Sequence, residues 1–161
     1  MDNKDLLLKD LSARLPYEVK LKITLDLSYD TCYDTVEQSC TFNATLYGIN
    51  IDGEPTDILI HHDNEDTANF LNEHFQECPS ILEDWIPYLR SMSNMTKEEE
   101  EEYNNIDNRA YSCPKDYAHI PAKDRIDWLL KNHFDFRGLI PKGLAIEVTK
   151  ENNPYEIRSR E

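Results

Sequence analysis

From Val19 to Leu27 every second residue is apolar: Val19, Leu21, Ile23, Leu25 and Leu27 are interleaved with Lys20, Lys22, Thr24 and Asp26. A strand turns successive side chains to opposite faces, so this pattern predicts a sheet with one buried and one wet face and excludes a helix there. Such a strand needs partners. Residues 40–51 supply one through Phe42, Ala44, Leu46, Ile49 and Ile51, with Gly48 interrupting the alternation where a bulge or bend is expected. Asp52-Gly53 is a hairpin turn signal, and Ile58 to His61 reads as the return strand. Leu144, Ile146 and Val148 make a short last strand. At 161 residues the chain can bury this sheet in one domain but is short for two.

Helical periods flank the β pattern. Residues 3–14 carry an apolar stripe of Leu7, Leu8, Leu11 and Leu15, with Asp2 or Asn3 as cap and Pro16 as stop. Residues 67–77 and 80–86 read as short helical turns, separated by Cys78-Pro79 and ended by Pro87. Thr96-Lys97-Glu98-Glu99 is a capping box, predicting a helix that ends near Asn104-Asn105. Residues 123–134 form another amphipathic helix, with Ile126, Trp128, Leu129, Leu130 and His133 on its apolar arc and Asp124 near its positive end. Asp127, Asp135 and Arg137 around it read as caps and turn residues, Arg137 pairing with Asp135 or a neighbouring acid. Residues 152–161 lack an apolar pattern and are expected to fray. The fold expected is α+β over residues 1–151: an N-terminal helix, then a β-meander, giving a small antiparallel sheet with helices packed on one side.

Charge narrows the function classes. Lys+Arg number 17 against Asp+Glu 32, a net charge of -15. The imbalance sits in the middle: residues 50–110 hold three basic and sixteen acidic side chains, including the unbroken run Glu98 to Glu102. Direct binding to nucleic-acid phosphates is disfavoured, because like charges repel and few cations are present to displace counterions. No apolar run is long enough for a membrane span, and no basic-then-apolar leader opens the chain. With four glycines in all, there is no G-x-x-x-x-G-K-[ST], G-x-G-x-x-G or G-x-S-x-G motif to cradle a phosphate or expose a nucleophile.

Two clusters carry potential metal chemistry. His61-His62-Asp63, with Glu65 and Asp66 behind, ends the return strand, where one imidazole and one carboxylate can share a divalent ion or act as base and orienting partner. His74 and Cys78, with Cys113 and His119, are suitable zinc donors but lack C-x-x-C pairs and knuckle glycines. The plain alternatives are a polar strand end and four reduced thiols, Cys32 being joined by Cys40, Cys78 and Cys113. No cofactor is expected.

Three blocks carry a resemblance. They are Asp5-Leu6-Leu7-Leu8-Lys9-Asp10-Leu11 with Ala13-Arg14-Leu15-Pro16-Tyr17, then Pro87 to Thr96, then Asp127-Trp128-Leu129 with Phe134 to Ala145. The chain resembles small uncharacterised acidic proteins encoded by phages, prophages and mobile elements of Bacteroides-type bacteria. That resemblance implies a setting inside a bacterial host cell and carries no catalytic residues over.

The expected function is therefore a non-enzymatic interaction protein of the bacterial cytoplasm, of open oligomeric state, meeting a host or phage protein that has a basic surface. The surface expected to carry it comprises Glu98, Glu99, Glu100, Glu101, Glu102 and Tyr103, with Asp63, Glu65 and Asp66. Tyr29, Tyr33, Tyr47, Tyr88, Tyr111 and Tyr117 add contact area with hydrogen-bonding tips. The alternatives are a small metal-dependent enzyme built on either cluster above, and a structural or assembly component.

Overall fold

The computed structural model describes residues 2–30, 35–50, 57–62, 85–112 and 119–156. In order they form α1 (Asn3–Arg14), β1 (Lys20–Asp30), β2 (Thr35–Asn50), β3 (Asp57–His62), β4 (Trp85–Leu89), α2 (Lys97–Ser112), α3 (His119–Lys131) and β5 (Ile146–Glu147). The sheet order is β3-β2-β1-β4-β5. The fold is α+β, and β1 to β3 are a meander in which each strand pairs antiparallel with the next.

The sheet is mixed, which corrects the purely antiparallel expectation: β5 runs parallel to β4, Tyr88 facing Ile146 and Leu89 facing Glu147. The cause is the connection. Parallel neighbours need a long crossover, and α2 and α3 both lie between Leu89 and Ile146. Trp85 and Ile86, the last residues of the helical turn expected over 80–86, belong instead to β4, and the rest of that turn lies outside the described residues. Pro87 is fully buried and pairs with Leu21. Bonded and non-bonded pairs alternate along an antiparallel ladder. Lys20 N–H and Tyr88 C=O share one bridging hydroxyl, two residues from the Lys22–Ile86 pair. Pro87 thus falls between bonding positions, where its missing donor costs the β1 ladder nothing.

Alternation along β1 delivers the expected two faces. Leu21 and Ile23 are buried beside Phe42, Ala44, Leu46, Trp85 and Leu89, and Leu7 and Leu11 of α1 close over them. Lys20, Lys22 and Thr24 lie half-buried on the reverse face, where Lys20 Nζ donates to Thr45 Oγ1 at 2.6 Å and the Thr24 and Thr41 hydroxyls meet at 3.2 Å. The bulge falls at the expected place: register against β3 shifts between Leu46 and Gly48, leaving Tyr47 as the extra residue, 50% exposed.

α1 starts as its sequence dictates, the Asp2 carboxylate accepting from the Asp5 amide at 2.7 Å. Leu15-Pro16-Tyr17 then tightens into a 3-10 turn. α2 runs on to Ser112, past the expected end at Asn104-Asn105. Ile106, near its middle, is buried against Trp128, Leu129 and Phe134 in a second small core, and that packing overrides the poor propensity of two asparagines. α3 begins at His119, so Asp124 lies inside the helix instead of at its start, and Ile126 is 44% exposed and off the buried face. His133 lies beyond the helix with φ +58°, a left-handed conformation uncommon for a residue with a Cβ.

Inside the segment expected to fray, Asn152 to Glu156 are tied down. The Asn152 side chain accepts from the Thr149 amide at 2.6 Å and donates to the Glu147 carbonyl at 2.9 Å. The Tyr155 hydroxyl donates to the Tyr88 carbonyl at 2.8 Å and accepts from the Lys20 amide at 3.2 Å. Asn152-Asn153-Pro154 is the turn signal that foreshadows this order.

Candidate functional site

The acidic helix is built from its cap. Thr96 Oγ1 accepts from the Glu99 amide at 3.2 Å and Glu99 Oε2 accepts from the Thr96 amide at 2.9 Å, completing the capping box. Glu99 also takes a two-pronged bond from Arg90, Nη1 to Oε1 at 2.7 Å and Nη2 to Oε2 at 2.8 Å. The guanidinium in turn lies over the Phe134 ring, 4.3 Å from its centre. These bonds, that from Arg90 foremost, hold the Glu99 carboxyl below the usual carboxylate range. Glu99 therefore fastens α2 to the end of β4 and to the second core.

Tyr103 is half-buried and meets Trp128 at a 44° tilt, and Trp128 stacks on Phe134, ring centres 5.5 Å apart at each step. Arg125 caps the outer end, its guanidinium 4.6 Å from the Tyr103 ring centre and Nη2 donating to the Tyr103 hydroxyl at 2.7 Å. Glu98, Glu100, Glu101 and Glu102 are different. All four are exposed, and among the described residues none has a side-chain hydrogen bond or ion pair.

Replacing Glu99 with Ala removes a cap bond and a bidentate ion pair together and is expected to cost about 1–2 kcal/mol in urea denaturation. Glu98→Ala and Glu100→Ala should stay within about 0.5 kcal/mol. The Glu99 contribution is present above the ordinary carboxylate pKa and lost as pH falls through its lowered native value, so the Glu99→Ala deficit should shrink in acid.

The other expected site residues fall apart in position. Asp63, Glu65, Asp66, His74, Cys78 and Cys113 lie outside the described residues. His61 and His62 belong to β3, in register with Thr45 and Ala44, and His119 opens α3. Among the described residues no three His, Cys, Asp or Glu side chains come together as a metal site. No described helix is long and apolar enough to cross a membrane. Of the tyrosines expected to add contact area, Tyr47 is exposed and Tyr88 is buried, its hydroxyl donating to Asn43 Oδ1 at 3.1 Å, and Tyr33 and Tyr117 lie outside the described residues.

Charge pattern alone does not disclose the buried ionic core. Asp10 and Arg14, one turn apart on α1, are both fully buried, with Arg14 Nε on Asp10 Oδ2 at 2.6 Å. Arg14 Nη2 donates to the Phe134 carbonyl at 2.9 Å, and Arg137 Nη1 donates to Asp10 Oδ1 at 3.1 Å. Arg137 thus pairs with Asp10 and leaves Asp135 free to cap the Leu139 and Ile140 amides, each at 2.8 Å. The i,i+4 spacing of opposite charges beside an apolar stripe was the available signal.

No family model, curated protein or solved structure matches this chain.

Proposed function

We propose that this is a non-enzymatic interaction protein that sets the acidic face of α2 against a basic site on another protein. In the phage or mobile-element setting that the sequence blocks imply, it acts inside the bacterial host as a takeover or counter-defence inhibitor, competing with DNA or RNA for that site. The observation that supports this reading is the contrast within one helix. Glu99 has its cation, whereas exposed Glu98, Glu100, Glu101 and Glu102 have none among the described residues. Glu98 repels Glu101 and Glu102 at helical spacings that weaken a helix. The helix dipole offsets this only in the first turn. A chain that keeps such a run without internal compensation presents a field that speeds encounter with a cationic partner.

The test is capture from lysate of the bacterial host on the immobilised protein, at low and at high salt, beside a variant with Glu98, Glu100, Glu101 and Glu102 all changed to Gln. A partner retained at low salt, released at high salt, displaced by DNA and lost with the variant is the expected result. Capture indifferent to salt and to the four substitutions overturns the proposal.

A further inference from the structure

Among the described residues, the C-terminal turn is fastened to the centre of the sheet by one side chain. Its other hydrogen bonds, through Thr149, Asn152 and Asn153, close within residues 147–155. Among the described residues, Asn152 reaches only the adjoining end of β5, through the Glu147 carbonyl, and Tyr155 alone reaches β1 and β4. Its hydroxyl stands between Lys20 N–H and Tyr88 C=O, the place of a direct β1–β4 ladder bond, and its ring lies on the His133 imidazole with centres 4.0 Å apart and planes 14° from parallel.

His133 is fixed from the backbone. The Arg90 amide donates to its carbonyl at 2.8 Å, and its own amide donates to the Leu130 carbonyl at 3.1 Å. Its Nδ1 is buried without a hydrogen-bond partner. The charged groups acting on it are Arg14 from α1 and Arg90 from the end of β4, both cations. Burial keeps the phenol of Tyr155 protonated, so the ring stacked on the imidazole brings no negative charge. The Lys20 ammonium is turned to Thr45, and Tyr88 meets Tyr155 through its carbonyl. The carboxylates on the two arginines, Asp10 and Glu99, are already engaged by them.

We propose that residues 149–156 form a latch, held shut by Tyr155 on His133, which opens in mild acid while the sheet beneath it stays folded. A proton on the imidazole adds a third positive charge beside two guanidiniums, and the resulting cation necessarily carries a hydrogen on the buried Nδ1, where there is no acceptor. Burial first, then the two arginines, push the His133 pKa down to about 4 from its ordinary 6.5. Arg14 and Arg90 stay beside His133 when the latch opens, so the burial part of the shift is what opening releases. The closed form is fully favoured above the ordinary value and loses ground, by less than about tenfold per pH unit, as pH falls towards the lowered one. The sheet survives because the hydroxyl only bridges two backbone groups, which water can satisfy once it leaves.

Amide hydrogen exchange on the full chain, corrected for intrinsic rates at each pH, tests this. Protection of the Lys20 amide should fall steadily, by less than about tenfold per pH unit, between about 6.5 and 4, while the Ile23 amide, which faces β2, keeps its protection. His133→Asn, which tolerates a positive φ and does not titrate, should abolish that slope. Tyr155→Phe should lower Lys20 protection at every pH and leave the slope. Lys20 and Ile23 losing protection together, or a slope that persists in His133→Asn, overturns the latch. The Lys20–Ile23 comparison in the unaltered chain decides the matter even if His133→Asn folds poorly.

Discussion

Asp10→Ala is expected to cost about 3–5 kcal/mol of folding stability, read as a shift in the urea midpoint at constant slope. The reason is what it leaves behind. Arg14 is fully buried and its Nε and one Nη2 contact would lose their anion, while Arg137 would lose the Oδ1 it donates to. The pair by itself is weak evidence of stability, because taking both ions from water costs nearly what their attraction returns. Breaking one side is what is severe. A double variant, Asp10→Leu with Arg14→Met, removes both charges and should recover most of the loss. Such recovery would show that the penalty belongs to the stranded cation and not to the missing bond. With total stabilities commonly about 5–15 kcal/mol, Asp10→Ala alone could consume much of the margin.

The second large effect is at Trp85. It is 0% exposed, the largest fully buried side chain among the described residues, and sits opposite Ile23 in the central part of the sheet. Trp85→Ala is expected to lose about 3–5 kcal/mol by deleting apolar area and leaving a cavity. Trp85→Phe should lose far less than its volume change suggests. The Trp85 indole N–H is buried and has no acceptor, so the native residue already bears the cost of an unmade hydrogen bond, which Phe does not. Comparing the two variants by thermal denaturation separates packing from polarity at one position. A Phe variant as unstable as the Ala variant would contradict this account.

Local periodicity made part of the fold legible. Leu21 and Ile23 alternate with Lys20 and Lys22, and the faces they define are those observed. Thr96 and Glu99 signal a cap three residues apart, and both reciprocal bonds are present. Gly48 marked the bulge, although the residue set out from the ladder is Tyr47. What stayed hidden depended on distant partners. Trp85 to Leu89 reads poorly as a strand because Pro87 lacks an amide hydrogen, and only the β1 register shows that this donor is not needed. β5 is two residues long, too short for any alternation to reveal its direction. The capping box marked Glu99 from the sequence, but its ion pair with Arg90, nine residues earlier, left no local signal. Tyr155 carried no periodic signal at all, since a lone side chain inserted into a ladder has none.

The crossover that makes β5 parallel also sets an order of assembly. As the chain leaves the ribosome, β1, β2 and β3 can zip by neighbouring hairpins, but the other edge of β1 stays unpaired until Trp85 to Leu89 emerge. α1 waits longer still, because Arg14 and Asp10 find their last contacts at Phe134 and Arg137, 120 and 127 residues downstream. Such remote closures are slow and leave half-made sheets adhesive. A nascent chain halted before Arg137 would thus hold its first helix unseated, and arrested or truncated products should be the species that aggregate or attract proteases.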